Sequence, residues 1–164
     1  MTGIYPTAGI LILGALALLL VSAGIEDARR REIANGKTIA IALLAPLWWL
    51  ASGVAVWPDL AIQIGLAAGV FALFVAAFHF GMMGGGDVKL IGALALWLPF
   101  QPLADMLIVM SLVGGVVTAL IAIEHKWRRA PGQIEVPYGV AIAIAGLIAI
   151  HEPLLNQISQ YSAV

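Results

Sequence analysis

The sequence predicts an all-α integral membrane protein, a bundle of about six transmembrane helices forming one domain over residues 1–164. Three observations predict it. Hydrophobic residues make up 62% of the chain and charged residues only 10%, with a mean hydropathy of +1.04. A water-soluble domain of this size needs far more charge on its surface. The apolar residues also fall into runs of membrane-spanning length, and every cation lies at one of three breaks between them.

The runs place spans near Ile4–Ile25, Thr38–Trp57, Leu60–Phe80, Val88–Leu98, Leu103–Ile123 and Val136–Ile150. A bilayer asks for about 20 apolar residues per helix. The breaks carry turn residues: Asn35-Gly36, Pro58-Asp59, Gly84-Gly85-Gly86, Pro99 with Pro102, and Pro131-Gly132. All eight Lys and Arg residues follow the first span (Arg29, Arg30, Arg31, Lys37), open the fourth (Lys89) or follow the fifth (Lys126, Arg128, Arg129). With six spans these sites share one side, which the positive-inside rule makes cytoplasmic. Both termini then lie outside, with Asp59, Asp105 and Glu152 as exterior charges. The first run has no basic residue before it and a basic cluster after it, so it reads as a span and not as a cleavable signal.

Several elements call for their own argument. Trp57 and Trp97 fall near the outer interface and Trp127 near the inner one, as an aromatic belt expects; Trp48 and Trp49 sit deeper. Gly65 and Gly69 form a small-xxx-small pair suited to close packing of the third span on a neighbour. The fourth run covers only about half of the hydrocarbon thickness at about 1.5 Å per residue. Its Gly-rich N-terminal end is therefore expected below the membrane surface, beside a wet cavity. The tail Leu154–Val164 reads as mildly amphipathic or irregular.

Chemistry narrows to two acids. Asp27 ends the first span and Asp87 opens the fourth, so the topology puts both at the cytoplasmic face. Carboxylates at the hydrocarbon boundary are costly and mark a partner or a function. Two carboxyls held together share a proton, so that one is a base while the other is an acid. Such a pair can activate water, polarise a peptide carbonyl and protonate a leaving amine. Singly, each has a bland reading: Asp27 as a partner of Arg29, Arg30 or Arg31, and Asp87 as a helix cap. No cysteine is present, which excludes disulfides, thiolate metal sites and a cysteine nucleophile. His79, His125 and His151 are scattered without metal-ligand spacing, so no metal or cofactor is expected.

The flanking residues decide between these readings. Asp27-Ala28-Arg29-Arg30-Arg31-Glu32-Ile33-Ala34-Asn35 resembles the first aspartate motif of type IV prepilin peptidases, an Asp followed by basic residues and Ile-Pro-Asn. Gly84-Gly85-Gly86-Asp87-Val88-Lys89 is similar to their second, GxGDxK, and Pro137-Tyr138-Gly139 to the Pro-aromatic-Gly segment that opens their last span. Ala34 departs from the pattern, standing where the family usually has Pro.

The resemblance implies a two-aspartate endopeptidase of the bacterial inner membrane, with Asp27 and Asp87 catalytic. Gly84, Gly86, Lys89, Asn35, Pro137 and Gly139 are the supporting motif residues. It implies prepilin or pseudopilin substrates carrying a short basic leader, a likeness to the short enzymes of Flp (tight-adherence) pilus systems, contact with membrane lipid and with pilus assembly machinery, and no nucleic-acid partner. The cysteine-bearing methyltransferase insert of larger relatives is not expected here. Lys89 is read either as tuning the aspartates or as a snorkelling topology charge. Glu26, Glu32, Glu124 and Glu135 are candidates to attract the leader. Two rivals remain: a non-catalytic subunit of a pilus or secretion machine, and a proton-coupled transporter, which would want polar residues along its spans.

Overall fold

The computed structural model describes residues 6–128 and 137–162, and every regular element in them is helical. The order is α1 (Pro6–Arg30), α2 (Asn35–Ser52), an irregular turn over Val56–Leu60, α3 (Ala61–His79), α4 (Gly85–Ala95), α5 (Phe100–Arg128) and α6 (Tyr138–Ser162). Each helix falls on one of the six apolar runs. Four stretches are long and apolar enough to cross a membrane: Thr7–Arg30, Val56–His79, Phe100–Glu124 and Tyr138–Ser159. The first turn of α2 spends its length on Asn35, Gly36, Lys37 and Thr38, and α4 has only 11 residues.

Helices α1, α5 and α6 run past the C-terminal ends of the expected spans. α1 continues without a break through Asp27 to Arg30, and Arg31 then adopts a left-handed φ of 58° that ends it. A left-handed residue after the last turn is a common helix stop, at a cost of about 1 kcal/mol for a side chain with a Cβ. α6 runs through Pro153 to Ser162, so the tail is helical from Leu154 to Ser162, where the sequence reading left it amphipathic or irregular. The Pro131-Gly132 break and Glu135 lie outside the described residues.

α6 lies along α1 and α5, while α4 packs against α2, α3 and α6. The core follows strict stripes. In α1, Leu13, Leu16, Leu20 and Ala23 are buried at alternating spacings of three and four. They meet Leu90, Ile91 and Leu94 of α4 and Ala141, Ile142 and Ala145 of α6. The outward faces remain apolar, with Leu11 and Leu18 each 73% exposed. That is the surface lipid solvates and water does not. Gly65 and Gly69 have no neighbour of this chain within 4 Å of where a Cβ would stand, so the expected close packing of α3 there is not made within the chain.

The short α4 raises an accounting problem. Its last carbonyls have no helical partners, and in a hydrocarbon setting they must find donors. Side chains supply them. Gln63 Nε2 donates to Ala95 O at 2.7 Å and to Leu98 O at 2.8 Å, and Trp49 Nε1 donates to Leu96 O at 2.9 Å. Trp97 Nε1 donates to Ile41 O at 3.0 Å, and its ring stacks on Trp48 with centroids 6.3 Å apart. Trp49 and Trp97 thus fasten the C-terminal end of a half-length helix, and Trp97, expected at the outer interface, is buried at 4% exposure. Beyond that end lies a cavity of about 900 Å³, lined among others by Asp59, Asp105, His151 and Glu152.

Candidate active site

Asp27 continues the buried stripe of α1, one turn beyond Ala23 and two beyond Leu20, and is 5% exposed. Asp87 stands on the buried face of α4 with Leu90, Ile91 and Leu94, and is 8% exposed. Both therefore point into the bundle at its end opposite the 900 Å³ cavity, close enough for their charges to interact.

Each carboxylate is held by the N-terminus of a helix. Asp27 Oδ2 accepts the Val140 N–H at 3.2 Å, and the carboxylate also accepts from Gly139. These are donors of the first turn of α6, where the positive end of the helix dipole favours an anion, and the Val140 N–H is shared with Pro137 O, also at 3.2 Å. Pro137, buried just ahead of Tyr138, has no N–H to satisfy and suits the approach to that turn. Gly139 permits the contact: a Cβ there would lie 2.8 Å from Asp27 Cγ and 2.9 Å from Asp27 Cβ.

Asp87 is the third residue of α4, not its cap; Gly84 holds that place with φ −74° and ψ 147°. The Asp87 carboxylate reaches back to the Gly84 N–H, the backward half of a capping box. A Cβ on Gly84 would stand 3.0 Å from Asp87 Oδ2, so the glycine keeps that oxygen accessible.

Ile33, in the α1–α2 turn, is wedged between the two halves of the site. Its Cβ lies 3.3 Å from where a Gly86 Cβ would be, and its Cδ1 lies 2.7 Å from the corresponding point on Gly139. The motif glycines Gly86 and Gly139 thus meet across one side chain, which the sequence reading quoted in the first aspartate motif but gave no role.

Asn35 and Lys89 form a separate pair, Lys89 Nζ donating to Asn35 Oδ1 at 2.8 Å. The bond ties the start of α2 to the first turns of α4. Both border an apolar groove of about 550 Å³ between α2, α3 and α4, with Ala42, Ala67, Phe71 and Gly92 in its walls. No arginine is ion-paired with Asp27 among the described residues, whereas Lys37 pairs with Glu26 at 2.9 Å. Glu26 is thus engaged within the chain. His79 is exposed, and its ring meets Phe80 edge-on, with centroids 5.9 Å apart. Among the described residues no group of three His, Asp or Glu could hold a metal ion.

Comparison with known proteins gives the site its context. The profile of the type IV leader peptidase family matches residues 14–120, which include both aspartates and the turn between α1 and α2. The chain belongs to the type IV leader peptidase family. It is 36% identical over 94 residues to a prepilin leader peptidase/N-methyltransferase of Aeromonas salmonicida strain A449, covering 53% of this chain and 31% of that one. A protein of the same description from Dickeya chrysanthemi is 26% identical over 170 residues, covering 99% of this chain and 57% of its own length. This leader peptidase family member therefore spans from about a third to somewhat over half of these relatives. No solved structure matches the chain at a significant level.

Proposed function

We propose that the chain is a membrane aspartyl endopeptidase that removes the short basic leader from type IV prepilin-like precursors, of the Flp class, at the cytoplasmic boundary of the bacterial inner membrane. Asp27 and Asp87 form its dyad. The observation that carries the reading is the convergence of these acids, each on the core-facing stripe of its helix and each bonded to backbone N–H groups at a helix start. A merely solvated acid would point outward.

In this reading one carboxylate takes a proton from water as the oxygen adds to the scissile carbonyl carbon. The other, protonated, gives its proton to the carbonyl oxygen. Collapse of the tetrahedral intermediate breaks the C–N bond as one of its hydroxyls returns a proton to the second carboxylate, and the proton gained from water passes to the leaving amine. Gly84, with no side chain over Asp87 Oδ2, is where a substrate strand would approach the start of α4. Six spans carry the site: α2 and α4 cross with the four longer helices, the chain enters and leaves on the outer side, and Arg29, Arg30, Arg31, Lys37 and Lys89 face the cytoplasm. Asp59, Asp105 and Glu152, which share the cavity at the other end, are then exterior, in keeping with that orientation.

The test is co-expression with a prepilin from the same genome, following its size on a gel, beside Asp27→Asn and Asp87→Asn variants shown to insert in the membrane. Cleavage by the parent and by neither variant is expected. Cleavage that survives either change removes that aspartate from the reaction. A parent that cuts none of several such prepilins moves the non-catalytic assembly subunit ahead.

A further inference from the structure

The α1–α2 turn sets the position of Ile33, and Ile33 spaces Gly86 from Gly139. What holds this turn is therefore relevant to the gap between the aspartates. Three bonds converge on it. The Ala34 N–H donates to Glu26 Oε2 at 3.1 Å, Lys37 Nζ lies 2.9 Å from the same oxygen, and Lys37 Nζ also donates to Ser22 O at 2.9 Å. Glu26 directly precedes Asp27 in α1, so one end of this brace is rooted beside a dyad residue.

We propose that Glu26 is a positioning residue for the dyad: anchored by Lys37, its carboxylate holds the Ala34 amide and so locks the Ile33 turn that spaces Asp27 from Asp87. The inference rests on the dyad reading above. An exposed ion pair alone would add little and leave turnover untouched. This pair differs because its acid oxygen also binds a backbone N–H of the turn. Ala34 itself sits at φ −60° and ψ 130°, and that φ is the one a proline ring imposes covalently. A non-proline residue can leave that geometry, and the Glu26 hydrogen bond is what opposes it here. The two devices are alternatives, since proline has no N–H to give to Glu26.

That exclusivity makes the test. The purified chain in lipid nanodiscs would be assayed on a leader-bearing peptide. Glu26→Ala is expected to lower kcat about tenfold with KM nearly unchanged, the signature of a misplaced catalytic group. Ala34→Pro alone is expected to keep kcat close to the parent's, and adding Glu26→Ala to it should then cost nothing further. Glu26→Gln, which keeps an acceptor for the Ala34 amide, should lose less than Glu26→Ala. Amide hydrogen exchange of the segment 31–36 should quicken in Glu26→Ala and slow again in the double variant.

An unchanged exchange rate, or a kcat loss that persists in the double variant, overturns the proposal. A change confined to KM overturns it in favour of Glu26 contacting the basic leader directly. If the parent itself cuts nothing, the peptidase reading fails, while the exchange rates still decide whether Glu26 holds the turn.

Discussion

Gly139→Ala is the sharpest perturbation of the site. An added methyl would stand 2.8 Å from Asp27 Cγ and 2.9 Å from Asp27 Cβ, against an ordinary contact that begins at 3.4 Å. The overlap is about 0.5 Å, and it falls on atoms next to the α1 backbone. Ile33 Cδ1, at 2.7 Å, can rotate away, but Asp27 Cβ cannot move without α1. Overpacking of this kind costs about 1–3 kcal/mol in stability, which a bundle of six helices survives. The catalytic penalty is larger in relative terms, since displacement of a reacting group by about 1 Å can cost about a hundredfold. A loss of about 10- to 100-fold in kcat is expected, equivalent to about 1.4–2.7 kcal/mol of barrier. The assay is steady-state cleavage of a leader-bearing peptide in nanodiscs. Gly36→Ala, a position with nothing within 4 Å of its Cβ, controls for helix propensity. A Gly139→Ala enzyme that is folded and turns over at the parent's rate would refute the close seating of Asp27 on the start of α6 as the working geometry.

Other outcomes follow from the same arrangement. Asp27→Asn and Asp87→Asn should each lower cleavage by about a thousandfold or more, the scale of losing acid–base chemistry, with insertion unchanged by protease protection. Gln63→Leu strands the Ala95 and Leu98 carbonyls and should cost about 2 kcal/mol, read as a lower thermal midpoint in detergent. Leu94→Ala, at a fully buried position, should cost about 2–5 kcal/mol by the same measurement. Chelators should leave cleavage unchanged, in keeping with a dyad that needs no metal.

Much of this was legible because the membrane imposes simple rules. Apolar runs located all six helices, and the GGGD and Pro-Tyr-Gly segments named residues that do converge. The phase of the acids was also on the page: Asp27 keeps step with Leu13, Leu16, Leu20 and Ala23, and Asp87 with Leu90, Ile91 and Leu94. What could not be read were the partners set by three-dimensional meetings. Nothing in the local sequence says that Asp27 serves the first turn of α6, more than a hundred residues later. Glu26 was read as a candidate to attract the leader, and nothing in the local sequence pairs it with Lys37 and the Ala34 amide. Gln63 left a signal, a lone amide in the apolar run of α3, which in hydrocarbon must seek a polar partner. The extension of α6 past Pro153 escaped because proline argues against a helix that packing nonetheless carries on.

The brevity of α4 bears on the membrane as an insulator. Between the aspartates at its start and the cavity beyond its end stand 11 residues, about 16 Å of helix. If water reaches both ends, the full voltage of the membrane falls across little more than half the usual thickness. The dry plug of Leu90, Ile91 and Leu94 against Leu16, Leu20 and Ile142 then has a second duty besides packing. It keeps a bundle with buried carboxylates at one end and a wide cavity at the other from becoming a leak for water or protons.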